Sequence, residues 1–164
     1  MREHRYTLDL PHSPARLWAL MQDYDRWTEY APMVVAVDVV HPGDGSGNGL
    51  LRRVTYRLPL GRRGFALELV HDVVPERGYT YTMISREPGQ DQTGRVVLEP
   101  VGDNRTLLHF EERYHLTKLP WRWFEGPIYR FINKQNESSM RRLSAWLTEH
   151  PEYRADLVHG SLTP

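Results

Sequence analysis

PIYRFINKQNESSMRRLSAWLTEH, residues 127–150, is the stretch on which the fold turns. It reads as one long helix with the rest of the chain as its wrapping. Gly126 can serve as N-cap, and Pro127 stands at the first helical position, where a missing N–H costs nothing. Pro151 marks the end, because it disfavours a helical His150. With about 100° between successive residues, Ile128, Phe131, Ile132, Leu143 and Trp146 share a stripe. Gln135 and Ser139 fall at its centre, while Arg130, Lys134, Glu137 and Arg141 lie opposite. A helix closing an ordinary core carries Leu or Ile in the middle of its buried face. One that closes over a space holding water or a ligand can carry Gln and Ser.

Upstream, Arg5 to Leu10 alternates, with Tyr6, Leu8 and Leu10 on one face of a strand. Ser13 then caps a helix that begins at Pro14 and buries Leu17, Trp18 and Met21. Asp23 can cap a second short helix carrying Trp27 and Tyr30, closed before Pro32. From Val34 the pattern has period two. Val34–Val40 is a strand, and the Gly-rich run His41–Gly49 is a loop. Leu50–Leu60 is a strand with Val54, Tyr56, Leu58 and Leu60 inward. A tight turn pairing Gly61 with Gly64 predicts Tyr56 opposite Leu69 and Val54 opposite His71, so that Phe65, Leu67, Leu69, His71 and Val73 point inward.

After the turn at Pro75–Gly78, Tyr79, Tyr81 and Met83 are expected inward, which requires one bulge residue. Pro88–Asp91 is a loop. Strands Thr93–Val101 and Arg105–Thr117 follow, joined by Gly102-Asp103-Asn104, which pairs Leu98 with Leu108 and Val96 with Phe110. Leu108, Phe110, Glu112, Tyr114 and Leu116 then face inward. These connections are too short for crossovers, so the strands form an antiparallel meander. The expected class is α+β, a curved seven-stranded antiparallel sheet wrapped around a long C-terminal helix, with two short helices after the first strand. Residues 1–150 are read as one domain and 151–164 as a tail.

At 164 residues the chain can bury a core without staples. Lys plus Arg and Asp plus Glu each number 21, leaving a formal charge of zero, which argues against nucleic acid as the main partner. No cysteine is present, so disulfides and thiol chemistry are excluded. The N-terminus lacks an apolar h-region, and no run approaches about 18 apolar residues, so stable membrane insertion is not expected and a cytoplasmic protein is. The histidines lack HExxH spacing, and there is no GxSxG or Walker A sequence. No metal or cofactor is expected, and monomer and homodimer both stay open.

This order resembles the helix-grip fold of the START/Bet v 1-like (SRPBCC) superfamily, more narrowly its polyketide cyclase/dehydrase-like branch. The carrying residues are Ser13-Pro14 with Leu17-Trp18, the Asp23…Trp27 segment, Pro75 with Tyr79 and Tyr81, Leu98-Glu-Pro100…Thr106, and Leu143 with Leu147. The resemblance spans Tyr6 to Leu147. It implies a small hydrophobic or aromatic ligand held between sheet and helix, which some members cyclise or dehydrate and others, binding lipids or hormones, merely carry. It also implies that Trp27 and strand tyrosines border the pocket, with Arg52 and Arg95 as candidates for a pocket arginine.

The candidate ligand-binding residues are therefore Trp27, Tyr30, Arg52, Tyr56, Leu69, Tyr81, Phe110, Tyr114, Gln135 and Ser139. Glu112 and His71 are the candidate catalytic groups, as inward titratable side chains on otherwise apolar strand faces. A carboxylate so placed either pairs with a base or takes a raised pKa suited to general acid or base work. The plain alternative is a structural ion pair for Glu112 and a bonded core histidine for His71. The aromatic cluster Trp121, Trp123 and Phe124 keeps a further reading open, a protein-interaction module with a collapsed cavity.

Overall fold

The computed structural model describes residues 2–57, 61–85, 90–116, 123 and 125–153. Strand β1 (Arg2–Leu10) leads to helix α1 (Pro14–Gln22), a 3₁₀ turn (Tyr24–Arg26) and the short helix α2 (Trp27–Tyr30). Strands β2 (Val34–His41), β3 (Leu51–Arg57), β4 (Arg63–Val74), β5 (Gly78–Met83), β6 (Gln90–Pro100) and β7 (Thr106–Leu116) follow, then helix α3 (Glu125–Glu149). All seven strands pair antiparallel in one sheet of order β1-β7-β6-β5-β4-β3-β2. This is the expected curved sheet gripping a long helix. Leu58, Leu60, Pro88, Gly89, Trp121, Phe124 and the tail beyond Tyr153 lie outside the described residues, while Gln90 and Asp91, expected in a loop, belong to β6.

Local chemistry explains most of the elements. The Ser13 side chain accepts from the Arg16 N–H at 3.4 Å, and Pro14 opens α1. Asp23 makes no side-chain capping bond; it pairs with Arg26 and accepts from the Tyr153 hydroxyl. The β6–β7 turn sets Leu98 opposite Leu108 and Val96 opposite Phe110, as the sequence predicts. One extra residue does interrupt the β4–β5 ladder between His71 and Val74. Asp72 there takes φ 52°, and Tyr79 and Tyr81 are buried.

The β3–β4 register differs from expectation. Tyr56 stands opposite Gly64 and Val54 opposite Ala66, because the two strands are joined by a longer connection than a two-residue turn. The offset is odd, so every β4 side chain changes face. Ala66, Glu68 and Val70 point inward and are buried, whereas Phe65 remains 55% exposed. The physical reason lies inside: Arg52 enters the interior from β3, and this register alone sets Glu68 directly opposite it.

The core beneath α3 is built from Leu8, Leu10, Leu17, Leu20, Leu98, Leu108, Leu143 and Leu147, with aromatic residues around them. Polar ties fix the C-terminal half of the helix. His12 Nε2 donates to the Ser144 carbonyl at 2.8 Å, and Arg16 donates to the carbonyls of Leu147 and His150. Trp146 donates to Glu29 at 2.7 Å. Nearer the N-terminal end, Glu125 pairs with Arg2 at 3.6 Å and Asn136 donates to Glu112.

Candidate functional site

Two carboxyl groups organise the space between sheet and helix. Glu68 on β4 accepts from Arg52 Nε at 2.9 Å and Nη2 at 2.8 Å, and its other oxygen accepts from the Tyr56 hydroxyl at 3.0 Å. Arg52 is only 2% exposed. Its guanidinium carbon lies 4.5 Å from the Trp27 ring centre, 5.4 Å from Tyr24 and 5.5 Å from Tyr79. Burial opposes its charge, but Glu68 and the surrounding tyrosines more than offset this and hold its pKa well above the usual value.

Glu112 on β7 is fully buried. Its Oε1 accepts from the Tyr81 hydroxyl at 2.5 Å and from the Gln92 amide, and its Oε2 accepts from Asn136 Nδ2 at 3.3 Å. Burial pushes its pKa up, against the lowering effect of the Tyr81 and Gln92 hydrogen bonds, and the negative charge of Glu68 adds to the rise. Burial likewise raises Tyr81 well above the usual phenol value, so it acts as a donor that keeps its proton. Tyr81 can reach Glu112 because the intervening strand carries Gly94. A Cβ at that position would lie 2.3 Å from Tyr81 Cζ.

Most of the aromatic candidates surround these groups. Trp27 stacks on Arg52 and donates to the Met21 carbonyl at 3.0 Å. Tyr30 is buried beside α1, its hydroxyl 3.5 Å from the Leu20 carbonyl. Phe110 stacks on Tyr6 at 5.0 Å, and Tyr114 packs against Tyr129 at 5.0 Å.

Several expectations need correction. His71 and Leu69 are turned to the outer face by the β4 register, where His71 bonds Asp72 and Thr82. Leu69 stands opposite Thr82 and Leu51 on that same outer face. Ser139 is buried, but its hydroxyl donates to the Gln135 carbonyl one turn back. Asn136, not Gln135, is the helix residue that donates to Glu112, because the buried stripe is rotated about one residue and leaves Phe131 exposed. Arg95 stands opposite Glu111 on the outer face, where it borders an open concavity of about 500 Å³ with Arg5, Thr7 and His109. The interior groups lie on the other side of the sheet.

Sequence reading missed Glu68, Gln92, Gly94, Asn136 and His4. Gly94 carried a usable signal, since a lone glycine inside a strand marks a close approach. His4 stands opposite Glu112 on the inward face of β1, one residue before the expected start of that strand.

Residues 1–148 match the family described as polyketide cyclase / dehydrase and lipid transport. No curated protein matches the chain in sequence. Among solved structures, the Zhui aromatase/cyclase of Streptomyces sp. R1128 superposes with a TM-score of 0.78 at 12% identity, over 91% of this chain and 94% of that one. A Thermus thermophilus protein gives 0.72 at 19% identity, covering 88% and 95%. A START superfamily protein of Mycobacterium smegmatis gives 0.64 at 15% identity, covering 86% and 98%. At these identities the likeness establishes the helix-grip fold. Among the described residues, no helix is long and apolar enough to cross a membrane.

Proposed function

The chain belongs to the polyketide cyclase / dehydrase and lipid transport family, and from that premise we propose that it holds a small hydrophobic, aromatic, polyketide-like molecule between sheet and α3 and exchanges a proton with it at Glu112. The observation that carries this reading is the Glu112–Tyr81 pair, a fully buried carboxyl with a raised pKa in a 2.5 Å bond to a phenol. A carboxyl destabilised in its charged form is a stronger base than an exposed one and keeps its proton to higher pH, which suits both taking a proton and returning it.

For a β-hydroxy ketone, Glu112 as carboxylate would take a proton from the carbon beside the carbonyl. The electron pair of that C–H bond forms the new carbon–carbon double bond as the β C–O bond breaks. The same carboxyl then returns its proton to the departing hydroxide, water leaves, and Glu112 is restored. Tyr81 and Gln92 hold the carboxylate in place throughout. The Trp27, Tyr79 and Phe110 rings offer flat apolar walls for such a molecule.

A carrier that does no chemistry is the second reading, favoured by one observation: the buried Arg52 gives Nε and Nη2 to Glu68, which neutralises the charge that could polarise a carbonyl and leaves only Nη1 unpartnered. The exposure of Trp123, 79%, is the feature that would suit an interaction module instead.

Solvent extraction of the purified protein followed by mass spectrometry tests ligand binding. A stoichiometric aromatic or lipid molecule is expected, and an extract without one, from a protein that also fails to bind added aromatic probes, would overturn the reading. Glu112→Gln separates enzyme from carrier. Turnover should fall about a hundredfold or more in an enzyme that uses this group, while a carrier keeps its affinity.

A further inference from the structure

Among the described residues, four buried polar atoms around Glu112 have no hydrogen-bond partner: His4 Nε2, Tyr6 Oη, Tyr129 Oη and Asn133 Oδ1. The fold draws them to one wall. His4 stands opposite Glu112 and Tyr6 opposite Phe110 across the β1–β7 ladder, with the His4 and Tyr6 rings 5.2 Å apart. From the helix side, Tyr129 packs on Tyr114, two residues from Glu112 on the same strand face. Asn133 follows Tyr129 by one helical turn and precedes Asn136, the Glu112 donor, by another.

Buried polar groups in folded proteins are almost always paired, so unpaired ones gathered beside a single carboxyl mark a place that receives a polar partner. The chemistry of the set narrows that partner. Two phenols can donate or accept, the amide oxygen accepts, and the imidazole nitrogen does either according to tautomer. None carries a fixed charge. Burial lowers the His4 pKa, against the opposing pull of Glu137, so the imidazole is held neutral. Glu112 and Glu137 disfavour an anion, and the cations Arg2 and Arg141 are tied to Glu125 and Glu137. Hydroxyl groups, each donating once and accepting up to twice, answer atoms of these kinds, and two of them suffice for all four. A carboxylate or phosphate would not.

We propose that His4, Tyr6, Tyr129 and Asn133 form a subsite for the uncharged, hydroxyl-bearing edge of an aromatic ligand. The subsite rests on the ligand-binding reading above and adds the orientation of that ligand. Its hydroxylated edge lies against the β1–α3 wall beside Glu112, and its apolar body extends toward Trp27 and Arg52. At the Arg52–Glu68 end the two charges are paired, Arg52 Nη1 alone keeps an unpartnered donor, and the surrounding surface is mainly ring faces.

Titration calorimetry with dihydroxynaphthalene and its dimethyl ether tests this. The two probes share a ring system and differ in the ability to donate. The diol is expected to bind about tenfold more tightly than the ether. Tyr6→Phe and Tyr129→Phe keep ring shape while removing the hydroxyl, and each should cut that preference several-fold without altering affinity for the ether. Equal affinity for the two probes, or a preference untouched in both variants, would overturn the subsite while leaving ligand binding intact. If neither probe binds, the ligand-binding reading itself falls, and the subsite with it.

Discussion

The ring of Tyr81 lies across Gly94, so that a side chain on β5 spans β6 and bonds a carboxyl on β7. A Cβ on residue 94 would stand 2.4 Å from the Tyr81 hydroxyl oxygen, far inside van der Waals contact. Gly94→Ala is therefore expected to displace Tyr81 and lengthen or break its bond to Glu112. The destabilisation should be about 1–3 kcal/mol, as for other overpacked interiors. In a Tyr81→Ala background the added methyl has room, and the same change should cost little. Urea unfolding of the four proteins measures this coupling. Additive effects would show that the close approach is not what Gly94 provides.

The raised pKa of Glu112 predicts a pH dependence with a definite sign. Its ordinary value is 4.5, and in the folded protein burial moves it upward. The folded state thus binds this proton more readily than the unfolded chain. The corresponding stability is fully present below about pH 4.5 and is lost as pH rises through the folded value. Glu112→Gln removes that loss. Exposed carboxyls such as Asp9, held low by its hydrogen bond from Arg105, act in the opposite direction and are the same in both proteins. The difference between the two unfolding curves should therefore grow in favour of the Gln variant between acid and neutral pH. Parallel curves would contradict the assignment.

Arg52 and Glu68 should behave as a unit. Removing either one leaves an uncompensated charge in the interior, at a cost of roughly 3–5 kcal/mol. Arg52→Met combined with Glu68→Leu removes both charges and should destabilise less than the worse single change. Thermal melts of the three variants decide this. A double variant as unstable as the two single losses added together would mean that the pair contributes little to its own coupling.

Helix α3 offers a test of rotation. Asn136→Leu removes a donor from Glu112 and should cost about 0.5–1.5 kcal/mol, with a further rise in the Glu112 pKa. Gln135→Leu, one residue away, should leave stability within about 0.5 kcal/mol. Carboxyl NMR titration with denaturant unfolding reads both quantities. An equal effect of the two changes would place the helix in a different rotation.

Architecture was legible in the sequence because alternation, turn residues and helix length all agreed, and the β6–β7 register followed from turn length alone. Strand β4 was misread for a definite reason. Phe65, Leu67 and Leu69 look like an inward set by hydropathy, yet that face is the outer one and the inward position opposite Arg52 is held by Glu68. A buried ion pair is invisible to a scale that scores charge as exposed. Within the site, Glu112 and the inward tyrosines followed from alternation. Asn136 did not, because Phe131 drew the apparent stripe toward Gln135. His4 requires knowledge of which strand neighbours β7, which no local pattern supplies.

The bonds on the last turns of α3 outnumber the Arg2–Glu125 pair and the Asn136–Glu112 bond nearer its start, which gives the helix the mechanics of a beam clamped mainly at one end. His12, Arg16 and Glu29 anchor Ser144, Trp146, Leu147 and His150 to the segment that runs from the end of β1 through α2. Thermal bending should then grow with distance from that anchorage, and the gap between beam and sheet should widen most near Tyr129 and Asn133. A guest molecule would pass there rather than beside Trp146, and once seated it would stiffen the outer span. Amide exchange should be faster over residues 129–137 than over residues 140–149, and a bound aromatic probe should slow the first group selectively. Uniform exchange along the helix would argue against a one-ended clamp.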